Sequence, residues 1–136
     1  MCLLDQITRD FYRYPETGAG PPSRIPAPPE GRLVETWCLG KDPKGALLAC
    51  FEGHGLWRYD GKWEHITAPG LPLESPLSLM KSKDGRVWLG YPHNQIALDD
   101  GASFQIFGEE QGLALNSVSA FFDAGNLVFA APCAGL

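Results

Sequence analysis

Positive charge is scarce in this chain. Among 136 residues, 11 Lys and Arg stand against 16 Asp and Glu, for a formal net charge of −5 at pH 7. A nucleic-acid surface needs clustered Lys and Arg to displace counterions from phosphates, so no nucleic acid is expected as a partner. Long apolar runs are missing as well, and none reaches the length of a bilayer-spanning helix. The opening stretch MCLLDQITRDFYRYP lacks the basic, apolar and small-residue regions of a secretory signal, so none is expected there. Four cysteines are present, Cys2, Cys38, Cys50 and Cys133, but no C-x-x-C, which removes support for a zinc or thioredoxin-like site. No Ser or Cys stands in a nucleophile elbow, and no glycine-rich phosphate loop occurs. Sustained helical periodicity with caps is also absent.

What is present is a core and a repeat. Apolar residues make up 44% of the chain, with four Trp, four Tyr and seven Phe, enough for one packed domain. Gly45, Gly85 and Gly125 follow one another at intervals of 40 residues, and each opens an apolar run: GALLACF, GRVWLGY and GNLVFAA. Each run is preceded by an extended segment: VETWCLG, PLSLMKS and SVSAFFD. Two of the runs are followed by GLWRYDG or QIALDDG, then KWEHI or SFQIF, then a Gly-Leu linker. Such a unit reads as four short β-strands, the length and strand count of a propeller blade. Asp60-Gly61 and Asp84-Gly85 supply the positive φ that tight hairpins need. Nearly continuous apolar strands fit sheets covered on both faces.

The expected fold class is therefore all-β: an incomplete β-propeller fragment of two full four-stranded antiparallel blades flanked by two half blades. Residues 1–14 read as the third and fourth strands of a preceding blade, with Phe11 matching Trp63 and Phe104. Residues 15–33 carry six of the twelve prolines and read as an extended surface loop, or alternatively a Pro-rich peptide ligand. Residues 34–75 and 76–117 read as full blades and residues 118–136 as the first half of another. PCAGL aligns with EGHGL, so the chain reads as a fragment of a longer array. Unclosed terminal sheets are expected to self-associate through exposed edges. If Asp42 to Gly45 is a hairpin turn, Cys38 and Cys50 fall opposite each other, either bonded or packed as two small hydrophobes.

LSLMKSKDGRVWLGYPHNQIALDD, followed by FQIFGEEQGLALNSVSAFFDAGNLVFAA, resembles the two-component regulator propeller repeat. The shared features are a strand before Asp-Gly, an aliphatic-Trp-aliphatic-Gly run, and "GL…NSV" between blades. The resemblance runs from about residue 34 to the end and, more weakly, over residues 3–14. Departures are Leu48 and Val128 where Trp88 stands in the middle unit, and Cys50 and Ala130 where Gly90 stands. The resemblance implies a ligand-sensing or interaction segment of a bacterial signal-transduction protein. It implies a periplasmic or other extracytoplasmic location, with a transmembrane helix and a kinase or cyclase domain elsewhere in the parent. A second resemblance, to streptogramin-lyase-like propellers with DG-x-x-W turns, gives the alternative of part of a propeller enzyme.

The candidate ligand-binding residues are Glu52, His54, Tyr91, His93 and Asn94. His54 and His93 lie in equivalent loops between second and third strands, within one residue of alignment. In a propeller these loops and the linkers form one face, where ligands commonly bind. The plainer reading is ordinary polar loop residues. His65 falls in an outer strand and reads as structural. No catalytic group, metal or cofactor is expected: two histidines lack further ligands, and Asp99-Asp100 and Glu109-Glu110 point to opposite sides as chain neighbours. Trp57, Trp63 and Trp88 can stack on sugars, but their strand positions favour core packing. The expected partners are a small molecule or saccharide and the remaining blades of the parent propeller.

Overall fold

The computed structural model describes residues 10–15 and 17–132. Cys2, Cys133 and the strand expected before Asp10 lie outside the described residues. Twelve strands follow in chain order: β1 (Phe11–Arg13), β2 (Ser23–Ile25), β3 (Thr36–Lys41), β4 (Leu47–Phe51), β5 (Gly55–Tyr59), β6 (Trp63–His65), β7 (Ser78–Lys81), β8 (Val87–Gly90), β9 (Ile96–Asp99), β10 (Phe104–Phe107), β11 (Ala120–Asp123) and β12 (Val128–Ala131). They form two four-stranded antiparallel sheets, β3-β4-β5-β6 and β7-β8-β9-β10, flanked by the two-stranded sheets β1-β2 and β11-β12. The arrangement is open, that of an incomplete multi-blade β-structure. Helical turns among the described residues are limited to 3₁₀ turns at Pro29–Gly31 and Glu109–Gln111.

The repeat has a physical basis at the hairpins. Gly45, Gly85 and Gly125 have φ of 93°, 87° and 98°, a region that costs a side-chain-bearing residue. In the first hairpin the Asp42 carboxylate accepts the N–H groups of Lys44 and Ala46 at 2.9 and 2.8 Å, which fixes the turn. The register then repeats at 40 residues: Leu48 pairs with Arg58, and Trp88 with Leu98.

The last unit departs from that spacing. Cys38 Sγ lies 3.9 Å from the Pro76 carbonyl, and Ser78 Oγ donates to the Val118 carbonyl at 2.9 Å. Val118 thus occupies the place of Pro76, 42 residues on. The β11–β12 turn is correspondingly shorter: Asp123 pairs with Val128, whereas Lys81 pairs with Val87. Gly125 keeps its sequence spacing while the strand before it has slipped by two. The counterpart of Trp88 is therefore Phe129, not Val128, since Met80 pairs with Trp88 and Phe122 with Phe129.

The Pro-rich segment, read as a surface loop, also supplies β2. Ser23–Ile25 is a stretch without proline between Pro22 and Pro26, so its N–H groups are available to a ladder with β1. Asp10 fastens this sheet, accepting Arg24 Nε at 2.7 Å and the Ala27 N–H at 2.9 Å.

Middle strands are buried, as sheets covered on both faces require. Leu48, Ala49, Cys50 and Phe51 of β4 and Val87, Leu89 and Gly90 of β8 are buried. One cluster joins the two large sheets: Leu48, Cys50, Leu56 and Leu71 pack with Val87, Leu89, Tyr91 and Ala97. Cys38 and Cys50 are directly paired and disulfide-bonded, with Cα atoms 5.0 Å apart. Aromatic rings fill the outer interfaces. Phe11 lies 5.6 Å from Trp63 and 6.1 Å from Phe51, and Trp88 lies 6.2 Å from Phe121 (ring centroids).

Candidate functional site

Antiparallel neighbours put alternate connections on opposite rims. One rim carries the β3–β4 and β7–β8 turns with the β5–β6 and β9–β10 turns. The other carries the β4–β5 and β8–β9 loops with the linkers, and all five candidate residues lie in or beside those two loops.

They are spread over two loops. Phe51 pairs with Gly55, and the Tyr91 N–H donates to the Gln95 carbonyl, so each loop has three residues between paired positions. His54 is therefore the counterpart of Asn94, and His93 of Gly53. The histidines differ by one place, and the loops belong to different sheets. His54 is exposed, and its carbonyl accepts Trp57 Nε1 at 2.9 Å. Glu52 is exposed, and its N–H donates to the Glu35 carbonyl at 3.0 Å. His65, read as structural, stacks on Trp57 with centroids 5.0 Å apart.

Tyr91 is not a surface residue. Its side chain is fully buried in the inter-sheet cluster, and its hydroxyl has no hydrogen-bond partner. Burial, with the Glu74 charge adding, holds the phenol well above its ordinary range. The reason for this placement is local. Tyr91 lies one residue past β8, still in the ladder, so its side chain follows the strand's inward face.

Asn94 works within the fold. It has φ 56°, a left-handed conformation that Asn tolerates. Its side-chain amide donates to the Leu113 carbonyl at 2.9 Å, and its side-chain oxygen accepts the Leu115 N–H at 2.7 Å. Asn94 thereby ties the β10–β11 linker to the β8–β9 loop.

His93 remains available. Its side chain is 77% exposed, with Nε2 3.2 Å from a Glu74 carboxylate oxygen. Beside it an open cleft of about 530 Å³ is lined by Gln95, Ile106, Glu109, Glu110 and Gln111. Its polar groups suit hydrogen bonding to a small polar molecule. No group of three or more His, Cys, Asp or Glu among the described residues is placed to hold a metal ion.

The opposite rim holds a second polar cleft, about 320 Å³, which the sequence reading missed. At its wall Asp42 and Arg58 form an ion pair at 2.6 Å, with Asp42 side-chain exposure of only 8%. Burial pushes the Asp42 carboxyl up, but the hydrogen bond from Arg58 and the backbone N–H groups outweigh it, leaving it below the usual carboxylate range. Asp99 across the cleft behaves oppositely. Burial pushes its carboxyl up and the Asp42 and Asp100 charges add, against the N–H of Gly101. A signal for this cleft was present: Arg58 is the one charged residue inside GLWRY. Asp99 and Asp100 each accept backbone N–H groups of their own turn, so the adjacent carboxylates cap a hairpin.

Comparison with family models, curated proteins and solved structures finds no match to the chain.

Proposed function

We propose that the chain is a non-catalytic ligand-sensing or interaction segment of a bacterial signal-transduction β-propeller. The observation that carries this reading is the loop rim around His93. There the groups that fasten the fold, Asn94, Gln111 and the linker, stand apart from groups turned to solvent, His93, Glu109 and Glu110, beside an open cleft. A binding surface needs that division: a rigid rim with uncommitted polar side chains on it. The repeat resemblance supplies the signalling context. The Cys38–Cys50 disulfide supports an oxidising, extracytoplasmic setting.

The alternative, part of a propeller enzyme such as a streptogramin-lyase-like protein, draws support from the His93–Glu74 contact. An imidazole beside a carboxylate is the minimum of an acid–base pair, but among the described residues that line this cleft none is a hydroxyl or thiol nucleophile.

The test is an amide chemical-shift titration of the labelled chain with a panel of mono- and disaccharides and small polar metabolites. At least one compound should move resonances of residues 93–95 and 108–112, and His93→Ala should weaken it by about fivefold, the loss of one hydrogen bond. If no compound moves that rim, or every bound compound ignores the substitution, the reading is wrong.

A further inference from the structure

The part of β3 and β4 that borders β1-β2, and the outer face of β11-β12, expose the same two positions that the contacts between sheets cover. On β4, β8 and β12, Leu48, Trp88 and Phe129 are counterparts by register. Leu48 is 2% exposed, beneath the next sheet. Trp88 is covered by Phe121, at 6.2 Å between rings. Phe129, in the last sheet, is 55% exposed, and its neighbour Phe122, 6.4 Å away, is 64% exposed.

The covering residues form a matching series. Leu79 of β7 lies over Gly40 and packs against the cluster that holds Leu48. Phe121 of β11 is its counterpart over Trp88. Leu39 of β3 is the remaining counterpart, and it is 52% exposed. It borders a groove of about 180 Å³ with Tyr12, Lys41 and Leu47. A polar contact accompanies Leu79. Lys81 Nζ donates to the Asp42 carbonyl of the preceding sheet at 3.1 Å. Lys41 is the counterpart of Lys81, and Ala124 is the counterpart of Asp42 in the last unit.

We infer that a second copy of this chain docks head to tail, with Phe122 and Phe129 of one copy seated against Leu39 and the Tyr12–Leu47 groove of the next. Lys41 then donates to the Ala124 carbonyl across the contact. The occupant is a second copy because the required surface, a β-sheet face with an aliphatic cover residue and a lysine two places on, is the one this chain already uses between its two large sheets, where Leu79 and Lys81 meet Gly40 and Asp42; at the next interface Phe121 and Asp123 hold those places. The contact is heterologous, so each copy keeps one face to offer, and association proceeds to chains or rings rather than stopping at a two-fold dimer. This inference does not depend on the ligand-binding reading.

The test uses two variants at exposed positions, Leu39→Arg and Phe122→Arg, each of which puts an unpaired charge into the contact. Sedimentation velocity of the unmodified chain over a concentration series should show species growing beyond a dimer. Each variant alone should associate more than about tenfold more weakly, since a central apolar anchor is lost. Mixed one to one, they should form a dimer and no larger species, because one supplies an intact tail and the other an intact head. A monomer at all concentrations, variants that associate as the parent does, or a mixture that stays monomeric overturns the inference. Near-UV circular dichroism of each variant alone checks the fold. If either variant is misfolded, cysteines at Leu39 and Phe129 on separate copies should crosslink, and their failure to do so counts equally against it.

Discussion

Leu79 of the second sheet fills the space that a Cβ on Gly40 of the first would occupy. Glycine at that place is thus a packing requirement, because Gly40 has no positive φ to demand it. Gly40→Val should destabilise the chain by about 1–3 kcal/mol through overpacking. Leu79→Ala in the same chain should recover part of that loss, since it removes the clashing methyl groups. Urea midpoints of the two single variants and the double variant give the coupling.

Asn94 separates two contributions that can be removed one at a time. Asn94→Gly keeps the left-handed backbone but loses two hydrogen bonds to the linker, at a cost of about 1–3 kcal/mol. Asn94→Ala loses the same bonds and adds about 1 kcal/mol of backbone strain. The order Asn94, Gly, Ala in stability is the expected outcome of chemical denaturation. Amide exchange at Leu115 should rise in both variants.

The Asp42–Arg58 pair sets part of the acid limb of stability. Because the folded carboxyl sits below its unfolded value of about 3.9, its contribution is present above that pH and disappears as pH falls through the folded value. Asp42→Ala should cost about 2–3 kcal/mol at pH 7, a partly exposed Arg58 softening the loss of a buried pair. The gap between variant and parent should narrow below about pH 4. Thermal melts from pH 2 to 7 measure it.

Asp99 should show the opposite sign. Its folded carboxyl is raised, so ionising it at neutral pH works against the fold, and that penalty is relieved as pH falls through the folded value. Asp99→Asn keeps an oxygen for the Gly101 N–H and removes the charge. The urea midpoint should rise at pH 7 and stay unchanged at pH 3. A fall at pH 7 would mean that the Asp99 charge has a favourable partner.

The disulfide closes a short loop, with bonded residues separated by 12 positions. Chain-entropy arguments put its worth at about 3 kcal/mol. Reduction, or paired Cys38→Ala and Cys50→Ala substitution, should lower the unfolding free energy by about that amount and leave the strand pairing intact. Equilibrium urea unfolding with and without reductant provides the comparison.

The strands were legible where local chemistry fixes them. A turn glycine with positive φ and an apolar run after it mark β4, β8 and β12 without any tertiary information. The same glycine misled at the last unit. Gly125 holds the 40-residue spacing, yet the turn is one residue shorter and β11 has moved by two and β12 by one, so Phe129 rather than Val128 takes the place of Trp88. β2 carried no signal because three residues between prolines have no periodicity to read. Tyr91 was read as part of a loop surface, but the ladder extends one residue beyond β8 and turns its ring inward. The Asp42–Arg58 pair joins a residue of the β3–β4 turn to one of β5, 16 positions on, and only the folded sheet brings them together.

In both large sheets every strand is bonded solely to the strands beside it in the chain. Such contacts are short in sequence, and chains dominated by them fold quickly for β-proteins. A hairpin closes in about 1–10 μs, whereas synthesis of some 40 residues takes about 2–8 s. Each sheet can therefore be complete before the next has left the ribosome. The slow event is then the docking of Val87 and Leu89 onto Leu48 and Leu56, a collision between finished surfaces. Maturation on this timetable proceeds as layers are laid down, and a chain released after residue 77 would hold a finished first sheet with its apolar face to water.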